Sequence, residues 1–123
     1  MLEVAMQSFL DINVDGLQSM SPGDLDDLPF GVIGISADTT VTRYNATESR
    51  LAGLPAAAVL GEAYFLNVAQ CMNNYMVAQR FEDEPELDAV LPYVLTLRMR
   101  PTPVTLRLLK QASSDTYYIL VQR

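Results

Sequence analysis

The sequence predicts an α+β domain in which a five-stranded antiparallel sheet is flanked by helices. Two short β-rich runs come first, several helical segments follow, and three β-rich runs make up the last third of the chain. Of the 123 residues, 50% are hydrophobic and 19% are charged, a composition typical of a folded globular protein. A chain of this length is expected to form one domain around one core.

A helical cap is predicted over residues 1–28, as part of the same domain as the core at residues 29–123. Glycine and proline are expected to break it into short helices, at Gly16 and again at residues 21–23. Scattered apolar residues would anchor the cap: Val4, Phe9, Leu10, Ile12 and Leu17.

The sheet is predicted to begin at Phe30, where the run FGVIGIS is followed by a turn and a second run, VTRY. Asn45 stands three positions before Glu48, the spacing of a capping box, so a helix is expected from Asn45 to near Gly53. A short helical turn should follow at residues 55–60.

A further helix is predicted from about Asn74 until just before Pro85, and the acidic residues 82–88 behind it are interpreted as a solvated turn. Apolar and polar residues then alternate from Tyr93 to Met99, which predicts a strand. We expect a turn at residues 101–103. Two more strands are predicted, at residues 104–108 and 116–121.

The composition argues against several classes of function. The net charge of −7 disfavours nucleic acid or an anionic membrane as a partner. No histidine and only one cysteine are present, so a Cys/His or Ser/His nucleophilic pair and the usual zinc or haem ligand sets are missing. The chain is therefore not expected to be an enzyme. The acidic N-terminus and the lack of a long apolar run predict a cytoplasmic protein.

Charge is unevenly distributed along the chain. Residues 1–42 hold seven acids and no base, whereas residues 98–123 hold five bases and one acid. The cap is therefore expected to lie against the C-terminal strands, with its acids near their bases.

Several short segments, each weak alone, occur together in one order. They are FGVIGI, Tyr44-Asn45-Ala46 with Glu48 one helical turn later, VLGE, Phe65, Val68-Ala69 with Cys71, and Met99 with Pro101-Thr102. In this order the chain resembles the photoactive yellow protein family from about Asp24 to Arg123. The segment between Cys71 and Tyr93 is a few residues shorter than is usual there.

The resemblance implies a PAS fold and a blue-light photoreceptor. It implies a 4-hydroxycinnamoyl (p-coumaroyl) chromophore joined as a thioester to Cys71, with Tyr44 and a protonated Glu48 bonded to its phenolate. Met99 and Phe65 would lie at the same pocket. Light would isomerise the chromophore from trans to cis, Glu48 would give up its proton, and partial unfolding would signal to a downstream protein that the sequence does not identify.

Four positions depart from the family pattern. Ala52 and Leu54 stand where the best-known pattern has a threonine and an arginine, Leu97 replaces an aromatic residue, and Gln70 replaces a proline before the cysteine. A hydroxyl partner for Tyr44 and a cationic lid are therefore missing at these positions.

Each residue also has an ordinary structural interpretation. Glu48 could be the solvent-facing capping-box partner of Asn45, and Cys71 could be a small buried hydrophobic residue. Tyr44 and Met99 could be ordinary packing residues. The alternative function is a PAS module without chromophore that binds a small ligand or mediates dimerisation. For the chain itself a monomer or weak dimer is expected.

Overall fold

A five-stranded antiparallel sheet in the order β2-β1-β5-β4-β3 organises the protein. The computed structural model describes residues 8–97 and 100–123. Its strands are β1 (Gly31–Ile35), β2 (Val41–Tyr44), β3 (Leu87–Leu97), β4 (Arg100–Lys110) and β5 (Tyr117–Gln122). The predicted α+β class and the five-stranded sheet are confirmed.

Short helices surround the sheet. They are α1 (Val14–Ser19), α2 (Pro22–Asp26), α3 (Ala46–Ala52), α4 (Ala56–Val59) and α5 (Ala78–Asp83), with a π-helical turn at Tyr64–Val68 and a 3₁₀ turn at Gln70–Met72. Residues 8–11 are helical as well. Within the described ranges, no helix has the length and apolar character needed to cross a membrane.

The two faces of the sheet bury two separate hydrophobic clusters. Period-two alternation sends Ile33 and Ile35 of β1 to one face and Val32 to the other. The first face packs against α3, the helical turns and α5, and we call its buried residues the main cluster. The second face packs against the cap, where Phe9, Leu17 and their neighbours cover the sheet.

Two arginines hold the cap by its backbone. Arg107 donates from Nη1 to the carbonyl of Phe9 at 2.8 Å and also to the carbonyl of Ile12. Arg43 donates to the carbonyl of Leu17, in the last turn of α1, at 2.8 Å and to that of Met20, just after the helix, at 2.5 Å. Carbonyls at helix ends lack intrahelical partners, so cations are favourable there.

The cap therefore lies where the charge distribution predicted, but for another reason. The expected pairing of its acids with the C-terminal bases is wrong for the residues described. Ion pairs in residues 8–97 and 100–123 join Arg80 to Glu84, Arg107 to Asp88 and Arg123 to Glu48, and none includes a cap acid. Val4, a predicted anchor, lies outside the described residues.

Two predicted boundaries are corrected. Gly16 does not break the cap, because Asn13 caps α1 through a bond from the Gly16 amide at 2.8 Å. The predicted break near residues 21–23 is present, because α1 ends at Ser19 and α2 begins at Pro22, with Ser21 in a capping box. Helix α5 begins at Ala78, because the Asn74 side chain instead accepts the amides of residues 76 and 77 in a turn.

The predicted turn at residues 101–103 belongs to β4. Pro101 pairs with Thr96 and Pro103 with Val94, so the β3–β4 ladder extends past both prolines. Strand β5 pairs with β4 only from Thr105 onward. The prolines therefore stand where β4 has an open edge, and a missing amide proton is tolerated there. The predicted acidic turn at residues 82–88 is also shorter than expected, because β3 begins at Leu87.

Replacing Arg107 with methionine should loosen the cap. Each lost hydrogen bond to the guanidinium contributes about 1.5–3 kcal/mol, while Asp88, with a side chain 62% exposed, stays solvated. Hydrogen exchange should rise in cap residues 9–17 before it rises in the sheet. Arg80→Met, which removes a surface pair within α5, is the control and should leave the cap protected. Unchanged exchange in Arg107→Met would show that apolar packing alone retains the cap.

Candidate functional site

Asn45 determines where Glu48 points. Its Oδ1 accepts the amide of Glu48 at 3.0 Å, which caps α3, and also the amide of Val32 at 2.9 Å. The backbone amide of Asn45 donates to the carbonyl of Val32 at 3.1 Å, so it does not bind the Glu48 carboxylate. Only half of a capping box forms, and the side chain of Glu48 turns into the domain.

The Glu48 carboxylate is buried and ion-paired. Glu48 is 1% exposed, and Arg123 approaches it with both terminal nitrogens, Nη1 to Oε1 at 2.8 Å and Nη2 to Oε2 at 3.2 Å. The solvent-facing interpretation of Glu48 is therefore wrong. Burial raises the pKa of this carboxyl above its ordinary value of 4.5, although the guanidinium opposes the shift.

Gly31 provides the space for this carboxylate. A Cβ atom at position 31 would lie 1.9 Å from Oε1 of Glu48 and 2.9 Å from its Cδ. No side chain can occupy that position without moving the carboxylate. The first residue of β1 is therefore part of the site because it has no side chain.

Two tyrosines share the buried environment of Glu48. Tyr44 ends β2 and Tyr64 begins the π-helical turn, and both are buried. Burial is the main cause that raises the pKa of each phenol, and the charge of Glu48 adds to it; Cys71 raises the pKa of Tyr64 further. Across residues 8–97 and 100–123, neither hydroxyl has a hydrogen-bond partner.

Tyr64 is a site residue that sequence reasoning missed. It adjoins Phe65, which was predicted to lie at the pocket, in a segment with no regular periodicity. No pattern there distinguishes the aromatic residue near Glu48 from its neighbour. The rings of the two residues meet edge to face at 5.3 Å, so they form one apolar wall.

Cys71 lies in the 3₁₀ turn and is a free, partly buried thiol that packs against the main cluster. Its carbonyl accepts the Tyr93 hydroxyl at 2.5 Å and the Asn74 side chain at 3.1 Å. Strand β3 thus holds the backbone of the cysteine in place. Neither Tyr93 nor Asn74 was predicted to belong to the site.

The remaining predicted residues divide by position. Phe65 is buried and Leu54 packs partly buried on the main cluster. Ala52 and Leu97 line a cavity of about 340 Å³, together with three arginines, Arg50, Arg100 and Arg123. Gln70 is exposed, and its side chain bonds the carbonyl of Leu66 at 2.7 Å, so it does not join the others. Met99 lies outside the described residues.

The site combines a thiol, a paired carboxylate, two phenols and an adjoining cationic cavity. Within the described part of the chain, no group of three or more Asp, Glu, Cys or His residues could hold a metal ion. The arrangement can attach an acyl group to Cys71 and can hold or release a proton at Glu48.

Comparison with known proteins agrees with this arrangement. The chain is 30% identical over 112 residues to photoactive yellow protein of Rhodothalassium salexigens, and 33% identical over 112 residues to that of Halochromatium salexigens. Each match covers 89% of this chain and 90% of the relative. The chain belongs to the photoactive yellow protein family.

A solved structure supports the same assignment. The photoactive yellow protein domain of the sensor histidine kinase Ppr from Rhodospirillum centenum has a TM-score of 0.81 and is 33% identical, covering 89% of this chain and 98% of that domain. A PAS domain of an HTR-like protein from Haloarcula marismortui, 15% identical with a TM-score of 0.63, shares the fold alone. No family model matches the chain. The predicted PAS fold and the predicted family are confirmed.

Gly31→Ala should displace Glu48 from Arg123. Breaking a buried ion pair costs about 3–5 kcal/mol, and the added methyl has no space in the packed interior. Denaturant unfolding should show a loss of that size. The control is Gly23→Ala, where the new Cβ would lie 3.8 Å from its nearest neighbour, Ser21 Oγ, so stability should hardly change. Equal stability of the two variants would mean that Glu48 is not confined by β1.

The pH dependence of stability should change in Glu48→Gln. The folded-state pKa of Glu48 lies above 4.5, so its contribution is fully present below pH 4.5 and is lost as the pH rises through the folded pKa. The wild type should therefore lose stability relative to the variant in that range, by up to about 1.4 kcal/mol per pH unit. Unfolding curves at several pH values test this. If the stabilities of the wild type and of Glu48→Gln change equally with pH, the raised pKa of Glu48 is contradicted.

Proposed function

We propose that this chain is a blue-light photoreceptor that carries 4-hydroxycinnamic acid (p-coumaric acid) as a thioester on Cys71. The observation that supports it most is the grouping of Glu48, Tyr44, Tyr64 and Cys71 in one buried region of a chain of the photoactive yellow protein family. Family membership supports a sensory PAS domain, and the site supports the finer assignment.

The residues present fit such a group. Cys71 is the single thiol in the chain, and only a thiol can form the thioester. The hydroxyls of Tyr44 and Tyr64 lack partners in the described structure and could donate to a phenolate oxygen. The rings of Phe65 and Phe81 offer apolar walls to a conjugated body. When bound, the group supplies the absorption of blue light and a change of double-bond geometry.

Glu48 is proposed to hold a proton in the dark and to release it after illumination. Its burial favours the protonated form, and Asn45 and Gly31 fix where the carboxyl lies. The carboxylate left after proton release would have a counter-charge, because Arg123 lies beside Glu48. The signal therefore need not come from an uncompensated buried charge.

The first turn of α3 offers a route from Glu48 to the cap. Asn45 Nδ2 donates to the carbonyl of Leu25 at 2.8 Å, and the amide of Ala46 donates to Asp26 at 2.7 Å. The hydroxyl of Thr47 donates to the carbonyl of Leu28 at 2.6 Å. A change in the position of Glu48 would strain these three bonds, and loosening of the cap is proposed as the output.

The partner is proposed to be a signalling protein, because the Rhodospirillum centenum relative is a domain of a sensor histidine kinase. The acidic composition disfavours nucleic acid and membranes as partners. We further propose a cytoplasmic location, a monomer or weak dimer, and no enzymatic activity.

A second candidate is a PAS module that binds a small anion without a covalent bond. The cavity of about 340 Å³ lined by Arg50, Arg100 and Arg123 favours it, since this volume is within the range of ligand sites. Leucine at position 54, in place of the arginine of the best-known family pattern, is compatible with either function.

Reconstitution decides between the two. Purified chain mixed with activated 4-hydroxycinnamic acid should become yellow and gain one hydroxycinnamoyl group by intact mass. Cys71→Ser should gain none, whereas Gln70→Ala should load normally because Gln70 points away from the site. A wild-type chain that stays unlabelled beside a known family member that loads would favour the second candidate.

Blue light should then increase hydrogen exchange in the cap of the yellow chain. The increase is expected first in residues 9–28, where bonds from α3 and from Arg43 and Arg107 end, while strands β1 and β5 stay protected. Illuminated Cys71→Ser controls for heating. If the cap exchanges equally in light and dark in a chain that photocycles, the output surface lies elsewhere.

A further inference from the structure

Arg123 connects Glu48 with the cavity. It follows the last residue of β5, forms the two-bond pair with Glu48, and also lines the 340 Å³ space beside Ala52 and Leu97. Its side chain is 16% exposed, so part of it lies at the surface while the guanidinium reaches inward. This cation can therefore contact either the carboxylate or a group in the cavity.

Among the groups described around Glu48, Arg123 is the one that forms an ion pair with it. Arg123 lies just after β5, the phenol of Tyr44 comes from β2, and the phenol of Tyr64 comes from the π-helical turn, with Cys71 nearby. Strand β1 contributes Gly31, which has no side chain. Arg50 and Arg100 line the cavity but form no ion pair with any residue of the described ranges.

Charge balance limits what this site can accept. Glu48 and Arg123 together are neutral when both are ionised. A phenolate added beside them would leave a net negative charge in a buried place, which is unfavourable by several kcal/mol. Neutrality returns if Glu48 holds a proton and Arg123 faces the phenolate.

We propose that Arg123 is a positioning residue that exchanges partners, pairing with Glu48 in the chromophore-free chain and with the phenolate oxygen once a hydroxycinnamoyl group is attached. This inference rests on the proposed function. The phenol O–H bond breaks and a carboxyl O–H bond forms on Glu48, so the proton stays within the site. When Glu48 gives the proton back to the phenolate, Arg123 returns to Glu48.

The first test uses the chromophore-free chain. Carbon-13 NMR of labelled glutamate follows the titration of Glu48, with its signal identified by its loss in Glu48→Gln. Arg123→Gln should raise the titration midpoint by about 1–3 pH units, because an opposite charge next to a carboxyl stabilises its ionised form by that amount. Arg80→Gln, which removes a surface arginine of α5 outside the site, should leave the midpoint unchanged. No shift in Arg123→Gln overturns the proposal.

The second test uses the loaded chain and follows the visible band against pH. Arg123→Gln should lose its yellow colour at a pH about 1–3 units higher than wild type, because the phenolate has lost its cation. Arg123→Lys keeps a cation but cannot form the two-bond pair, so it should lose its colour at a pH between those of wild type and Arg123→Gln. If Arg123→Gln does not fold, Arg123→Lys replaces it in this test. Arg80→Gln, outside the site, should titrate like wild type.

The outcomes separate the two proposals. A chain that loads and whose colour titrates equally with and without Arg123 overturns the partner exchange but retains the photoreceptor. A chain that takes up no hydroxycinnamoyl group overturns both, and the chromophore-free titration then still decides whether Arg123 keeps Glu48 ionised.

Discussion

The structure of this domain depends on one buried carboxylate. Glu48 can be inside only because three conditions are met together: Gly31 leaves space for it, Asn45 ends the strand and starts α3 in the required direction, and Arg123 supplies the opposite charge. A buried ion without a partner would cost several kcal/mol, which is comparable to the stability of a whole small domain. The residues that allow Glu48 to be buried therefore contribute both to the fold and to the site.

The same residues also join the site to the cap. Asn45 alone bonds β1, α3 and the backbone of the cap, and it is 1% exposed. On the opposite side of the sheet, Arg43 and Arg107 hold cap carbonyls rather than cap acids. The cap is thus attached through geometry that begins one helical turn from Glu48, which favours coupling between the two regions.

The arginine that is missing at position 54 has a replacement elsewhere in the chain. Leu54 stands where the best-known pattern has an arginine, and it packs on the main cluster. A guanidinium still reaches the site, but it comes from Arg123 at the end of β5. The cation in this chain is therefore next to the carboxylate, and it enters the charge balance of the site directly.

The sequence by itself determined the features that depend on neighbouring residues. Period-two alternation indicated strands in the last third of the chain, and the spacing of Asn45 and Glu48 located α3. The single cysteine left Cys71 as the one thiol that the proposed group could use. Only the tertiary structure decided the rest: Arg123 meets Glu48 across 75 positions, Tyr64 joins the site, and Pro101 and Pro103 lie in a strand. These contacts follow from sheet register and strand order, which bring distant side chains together and leave no local pattern in the sequence.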